Sequence, residues 1–457
     1  MNQVIEFLKE NPHIHYAIPQ SPDFEELRLG FVINETKSPA IVIRPRSAED
    51  VAGLVPLLTK NNLQFTVRVG GHDMSGRSQV ADGVTIDLRE ISHIHVDVES
   101  QTARLGGGVI CMDMLEELQK YKVTTPFGVT PSVGQVGWAT FGGYGLLSST
   151  YGLGVDQIVG AKVVDAEGKI READGTMLTG IRGGGGSLGV IVEITLKVYP
   201  QDQILAGAIF YKSEDLAAGV IQFNAAYSKA KQEGLPSSLH LYQAILNGPV
   251  GKTLSLFFMW ASSNLEEGQQ WLSKVSSWLP VAMSTVQPTN QRDFGSFANS
   301  MIPKHTYGTI FTVNFYDLTP EVLEVIGIHG KKQPNNPELL FGIHELRSDA
   351  PRDPNIDTVF DNRVPHFLIE IIPLASTPEV LAEGLVWGEA FINALRNTDP
   401  TNIVPATYIS LTPNKELNMK TIYGSRHETF KKIKKQYDPQ NVFNNALPRF
   451  ENESEQS

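Results

Sequence analysis

The chain has 457 residues, enough for two domains or more rather than one simple core. It is 41% hydrophobic and 19% charged, a globular composition that excludes disorder of the whole chain. Asp and Glu outnumber Lys and Arg 50 to 38, and the resulting charge of −12 disfavours a nucleic-acid partner or an anionic membrane surface. A single cysteine, Cys111, permits no intrachain disulfide and favours a reducing compartment. The first twenty residues lack the apolar core of a secretory signal. No apolar run approaches the roughly 20 residues needed to cross a bilayer. A cytoplasmic enzyme acting on a small molecule is expected.

Along the chain, Ile41-Val42-Ile43 between prolines reads as a buried strand, and Ser47-Ala48-Glu49-Asp50 as a helix start with serine as the cap. Val51, Leu54, Val55 and Leu58 then recur at helical spacing, with Pro56 expected to kink or shorten the helix. A second strand over residues 65–69 completes an α/β signature. It runs straight into Gly70-Gly71-His72-Asp73-Met74-Ser75-Gly76. Adjacent glycines leave no Cβ to hold a ligand off, so successive backbone N–H groups can converge on one anion such as a pyrophosphate. The spacing is not the Gly-x-Gly-x-x-Gly of a dinucleotide fold.

Val84 to Leu88 is a further strand, and Gly106-Gly107-Gly108 precedes a helix from Met112 to Lys120. Those glycines fit a close ligand or a tight bend equally well. Between Phe127 and Gly145 glycine and proline are too dense for a regular helix or a central strand. The interleaved Phe, Trp and Tyr argue for backbone wrapped around something flat rather than a linker. Asp165-Ala166-Glu167-Gly168 is a hairpin turn. After the glycine run at Arg182–Val190, Val190, Val192, Ile194, Leu196 and Val198 alternate with polar residues as a half-buried strand. From 204 to 418 glycine thins out, and strands separated by helical stretches suggest one antiparallel sheet with helices on a face. A last helix carries Phe430, Ile433 and Tyr437 and stops at Asp438-Pro439. Its Lys431, Lys432, Lys434 and Lys435 are expected to form a solvated face. The polar tail 451–457 is expected to be disordered.

The segment Arg68-Val69-Gly70-Gly71-His72 with Gly76 resembles the covalent-flavin loop of the FAD-linked oxidases of the vanillyl-alcohol-oxidase type, most closely the berberine-bridge-enzyme-like subgroup. The Gly142-Gly143-Tyr144-Gly145 segment, the Arg182–Val190 element and Tyr437-Asp438-Pro439-Gln440-Asn441-Val442-Phe443 are similar to further motifs of that family, in the same order. The resemblance implies an α+β fold: a two-part α/β FAD-binding domain (1–203 and 419–450) around an inserted substrate domain (204–418) built on an antiparallel sheet flanked by helices. It implies FAD attached covalently through His72. Val69, Gly70, Gly71, Asp73, Met74, Ser75, Gly76, Gly128, Thr130, Gly137, Gly142, Gly143, Tyr144, Gly145, Val190, Val192 and Asn441 would contact the cofactor. Thr130 stands where some relatives carry a second attaching cysteine, so His72 is expected to be the single link. Trp138 replaces a histidine common in relatives, and Gln135 lies near the position thought to gate oxygen.

A flavin supplies the redox step, so the protein must position substrate and offer a base. The family's usual base is a tyrosine in a Tyr-x-Asn-Tyr element on the last substrate-domain strand. Here the element reads Tyr408-Ile409-Ser410-Leu411, and Leu411 cannot move a proton. Two candidates remain: Glu370, flanked by apolar residues on a strand, and Tyr408. The expected activity is oxidation of a small organic alcohol, amine or ring-closing precursor in specialised metabolism. The alternative is a non-redox cyclisation or isomerisation with FAD held structurally. No metal-ligand spacing is present.

Overall fold

The computed structural model describes residues 1–212, 214–352 and 355–449; the tail lies outside the described residues. The first sheet runs His15–Ala17, Ile41–Arg44, Val84–Asp87, Phe65–Arg68, the last three strands parallel. Helix Ala48–Lys60 makes the crossover that parallel strands require. Ser47 starts it as expected. Its hydroxyl accepts from Asp50 N–H at 3.2 Å, while the Asp50 carboxylate accepts from Ser47 N–H at 3.2 Å, so two otherwise unpaired donors are satisfied. Pro56 does not shorten this helix, which runs 13 residues. A proline removes the hydrogen bond to the carbonyl four residues earlier. That carbonyl, of Ala52, lies under the hairpin turn at Gly168, where any Cβ would collide with it.

The second sheet is antiparallel, in the order Ile94–Asp97, Thr102–Gly106, Val190–Lys197, Ile158–Val164, Ile170–Glu172. Glycine density did not prevent a short helix at Gln135–Thr140. Trp138 buries itself there, Thr140 Oγ1 donates to Val136 O at 2.8 Å, and the helix ends just before Gly142 and Gly143 at φ +118° and +77°.

The third sheet is larger and antiparallel throughout: Val281–Ser284, Ile204–Tyr211, Gly251–Trp260, Leu239–Gly248, Leu340–Leu346, His366–Ile372, Phe311–Phe315. Side chains alternate across a strand, and here each set finds a core. Leu205, Ile209 and Tyr211 join the core beneath the helices, where the Tyr211 ring meets Phe223 of helix Leu216–Glu233 and its hydroxyl donates to Val275 O of helix Leu265–Ser276, whereas Ala206, Ala208 and Phe210 face the core of the second sheet.

The chain then returns through helix His427–Tyr437. Phe430 and Ile433 press onto Gly184 and Gly180, where a Cβ would overlap them. That close approach corrects the expectation for Lys434. Lys431, Lys432 and Lys435 are exposed, but Lys434 is buried, and its ammonium donates to Ser187 O at 2.7 Å and to Asp438 Oδ2 at 2.6 Å. The Asp438 carboxylate in turn accepts from the N–H groups of Val442 and Phe443 at 2.9 and 3.0 Å. Asn445 Nδ2 donates to Phe65 O at 2.9 Å, fastening the C-terminal segment to the strand that leads to His72.

Candidate active site

The two glycine-rich loops meet backbone to backbone: a Cβ on Gly70 would collide with Gly134, and one on Gly134 with Val69. Between these loops and the third sheet opens a cavity of about 1110 Å³. That exceeds the roughly 300–1,000 Å³ of an ordinary small-molecule site and leaves room for a large cofactor with a substrate beside it.

Val69, Gly70, Gly71, His72, Asp73, Met74, Gly128, Thr130, Gly137, Tyr144 and Val190 line this cavity, as do Glu370 and Tyr408. Ser75, Gly76, Gly142, Gly143, Gly145, Val192 and Asn441 do not form its wall. Gly76, Gly142 and Gly143 turn the backbone at positive φ, and Gly145 is packed so that a Cβ would meet the Phe127 carbonyl. Val192 is in the core behind the loop. Asn441, at φ +52°, bends the chain after the last helix, its N–H donating to Asp438 O at 3.1 Å. Gln135 is fully buried away from the cavity. It accepts from Cys111 Sγ at 2.9 Å and donates to Pro126 O at 3.3 Å. Arg68, the first residue of the flavin-loop motif, holds the strand end through Asp87 at 2.8 Å and the carbonyls of Leu27, Arg28 and Leu29.

His72 is half-buried at the cavity edge, and its ring stacks on Phe31 with centroids 4.2 Å apart and planes 16° from parallel. Its nitrogens make no hydrogen bond among the described residues, and burial pushes its pKa down to about 4. The imidazole is therefore neutral near pH 7, with a free lone pair available as a nucleophile. Phe31 lies in a loop whose partner is set by tertiary packing, and nothing in its neighbourhood in sequence marks it.

The opposite wall carries a second cluster. Glu370 is 7% exposed, accepts from the Tyr242 hydroxyl at 3.2 Å, and has His344 Nε2 at 3.4 Å. Tyr242 reaches it across Gly342, which pairs directly with Glu370 in the sheet and has no room for a Cβ beneath the phenol. Burial first, then the neighbouring carboxylate, holds the Tyr242 phenol well above its ordinary pKa. Tyr408 sits before a one-turn 3-10 helix, Ile409–Leu411, and not on a strand. Burial pushes its phenol up to about 12, partly offset by Ser410 and the backbone of Gly143 and Tyr144. The Tyr144 hydroxyl donates to His366 Nε2 at 3.1 Å, the tautomer set by a 2.7 Å contact from Nδ1 to Val364 O.

Gly137 and Gly186 test the fit of a cofactor. Both line the cavity, and a Cβ added to either meets no protein atom within 4 Å. The wall is bare where protein packing does not demand it, as a cradle for a flat ligand requires. Gly137→Leu is therefore expected to leave thermal stability of the ligand-free protein unchanged or higher, since leucine is the better helix former. Its flavin content, read as absorbance near ~450 nm relative to protein, is expected to fall several-fold. Unchanged content would place the flavin elsewhere. Among the described residues no group of acidic, histidine or cysteine side chains is placed to hold a metal, and no helix is long and apolar enough to cross a membrane.

An α/β layer with bare glycine loops, closed over by an antiparallel sheet that carries a buried carboxylate, has the room and the bare walls for a flat cofactor with a substrate beside it. Residues 39–174 match the FAD binding domain family model and 412–448 the berberine and berberine-like model. The chain thus carries an FAD-binding domain and a berberine-like C-terminal segment, and it is an FAD-dependent oxidoreductase similar to the berberine-bridge-like enzymes. It is 29% identical to the FAD-linked oxidoreductase aurO of Gibberella zeae, over 94% of this chain and 85% of that protein. The fold is shared with 6-hydroxy-D-nicotine oxidase of Arthrobacter nicotinovorans at TM-score 0.81 and 20% identity, covering 95% and 97% of the two chains. It is also shared with glucooligosaccharide oxidase of Acremonium strictum, which carries a 6-S-cysteinyl, 8α-N1-histidyl FAD, at TM-score 0.79 and 18% identity, covering 96% and 97%. These relatives do not favour the non-redox alternative.

Proposed function

We propose that the protein oxidises a small, largely apolar aromatic alcohol or amine, with FAD attached through His72 and Glu370 as proton acceptor. The observation that carries this is the sheet face of the cavity. Phe210, Leu246, Phe257, Met283, Leu340 and Ile372 present hydrocarbon, Asn247 and Thr285 beside them are bonded to backbone groups, and the other polar side chains of the sheet gather at Tyr242, His344 and Glu370. Hydrocarbon walls fit a flat apolar substrate whose one polar group meets that cluster. A saccharide would leave several hydroxyls desolvated and unpaired there.

When bound, FAD supplies a two-electron acceptor. Glu370 would take the proton from the substrate oxygen or nitrogen. Tyr242 and His344 hold the carboxylate in place. Tyr408, protonated at neutral pH, serves as a donor rather than a base. The neutral, stacked imidazole of His72 supports its role as attachment residue, and Thr130 in place of a cysteine supports a single link. The same reading divides the chain into FAD-binding segments 1–203 and 419–450 and a substrate domain 204–418.

Anaerobic mixing with a panel of aromatic alcohols, aromatic amines and oligosaccharides tests the substrate class. Bleaching of the flavin band by aromatic compounds is expected. Bleaching by oligosaccharides alone would overturn it.

A further inference from the structure

The sequence does not single out Arg77, yet its guanidinium joins the two halves of the site. It is 4% exposed. Nε donates to Asp73 Oδ2 at 2.6 Å, on the loop beside His72. Nη1 donates to the carbonyls of Ile409 at 3.3 Å and Thr412 at 3.2 Å, and Nη2 to that of Ser410 at 2.9 Å. One rigid planar group thus spans two segments that lie more than 330 residues apart in sequence.

Each end is braced further. Asp73 Oδ1 accepts from the N–H groups of Ser75 at 3.0 Å and Arg77 at 2.9 Å, which closes the loop on itself. Thr412 Oγ1 donates to Tyr408 O at 2.8 Å, which closes the turn. The bonded turn is part of the cavity wall: Tyr408, Ser410 and Leu411 all line it, as does His72. Arg68 differs, because its carbonyl partners lie in the N-terminal segment. A lysine has neither the plane nor the number of donors to copy Arg77's grip.

We propose that Arg77 is a positioning residue that sets the separation between the flavin-bearing imidazole and the Tyr408–Leu411 wall. Cofactor attachment and the shape of the pocket around the flavin then depend on one side chain. The proposal rests on His72 and this cavity being the flavin site.

The test uses Arg77→Lys and Arg77→Met in the full chain, with bound FAD as the probe. Three readings are taken: thermal midpoint, the fraction of flavin retained in an acid precipitate, and visible-region circular dichroism of the flavin. For Arg77→Lys, a folded protein with at least a three-fold loss of covalent flavin and an altered dichroism band is expected. For Arg77→Met, the covalent fraction is expected to fall about ten-fold. Wild-type covalent fraction and wild-type dichroism in either folded variant would overturn the proposal. So would a loss confined to the thermal midpoint. If Arg77→Met does not fold, Arg77→Lys decides. If wild-type protein itself holds FAD without a covalent bond, the attachment reading fails separately, and the dichroism of bound FAD still judges Arg77.

Discussion

Glu370→Gln is expected to slow anaerobic flavin reduction by roughly 10²–10⁴-fold, the range a positioned general base contributes. Glutamine keeps the size and can still accept from the Tyr242 hydroxyl, so the sheet and the cavity should persist. What it loses is the capacity to take a proton. The loss should therefore appear in the limiting reduction rate, followed by stopped-flow absorbance, with substrate affinity changed much less. Tyr408→Phe is expected to cost less, because a phenol pushed up to about 12 is not deprotonated at neutral pH and can act there only as a donor. A Glu370→Gln enzyme reduced within three-fold of the wild-type rate would remove the carboxylate from the mechanism.

His72→Ala carries the second large effect. The native variant should still bind FAD, since the bare loops around Gly70, Gly134, Gly137 and Gly186 are untouched. After acid denaturation its pellet should be colourless. Loss of the Phe31 stack should cost an additional ~0.5–1.5 kcal/mol of stability, the worth of an aromatic pair beyond its buried area. A pellet from His72→Ala that stays yellow would mean that another residue forms the bond.

What the sequence reveals and what it hides divide along the range of the interactions. Strands such as Ile204–Tyr211 and His366–Ile372 are legible because alternation and β-branched runs are local signals. The loop at His72 is legible because its glycines and histidine are consecutive. Pro56 misleads because its cost depends on what lies over the Ala52 carbonyl, here a glycine turn more than a hundred residues later. Lys434 reads as one of four surface lysines until the glycines at 180 and 184 draw its helix inward onto Ser187. Arg77, Phe31 and the Tyr242–Gly342–Glu370 arrangement have no local signature at all. Each is a junction between distant segments, and a single sequence does not pair them. Tyr408 was legible as a candidate by resemblance, but its position before a short 3-10 turn depends on Arg77 and Thr412.

The proposed active site requires a flavin joined to the chain at one imidazole. Purified wild-type protein should be denatured in acid, digested, and its peptides separated with fluorescence and mass detection. Flavin carried by the peptide that contains His72 is the predicted result. Flavin released wholly into the supernatant, flavin on a peptide without His72, or no flavin at all would contradict it.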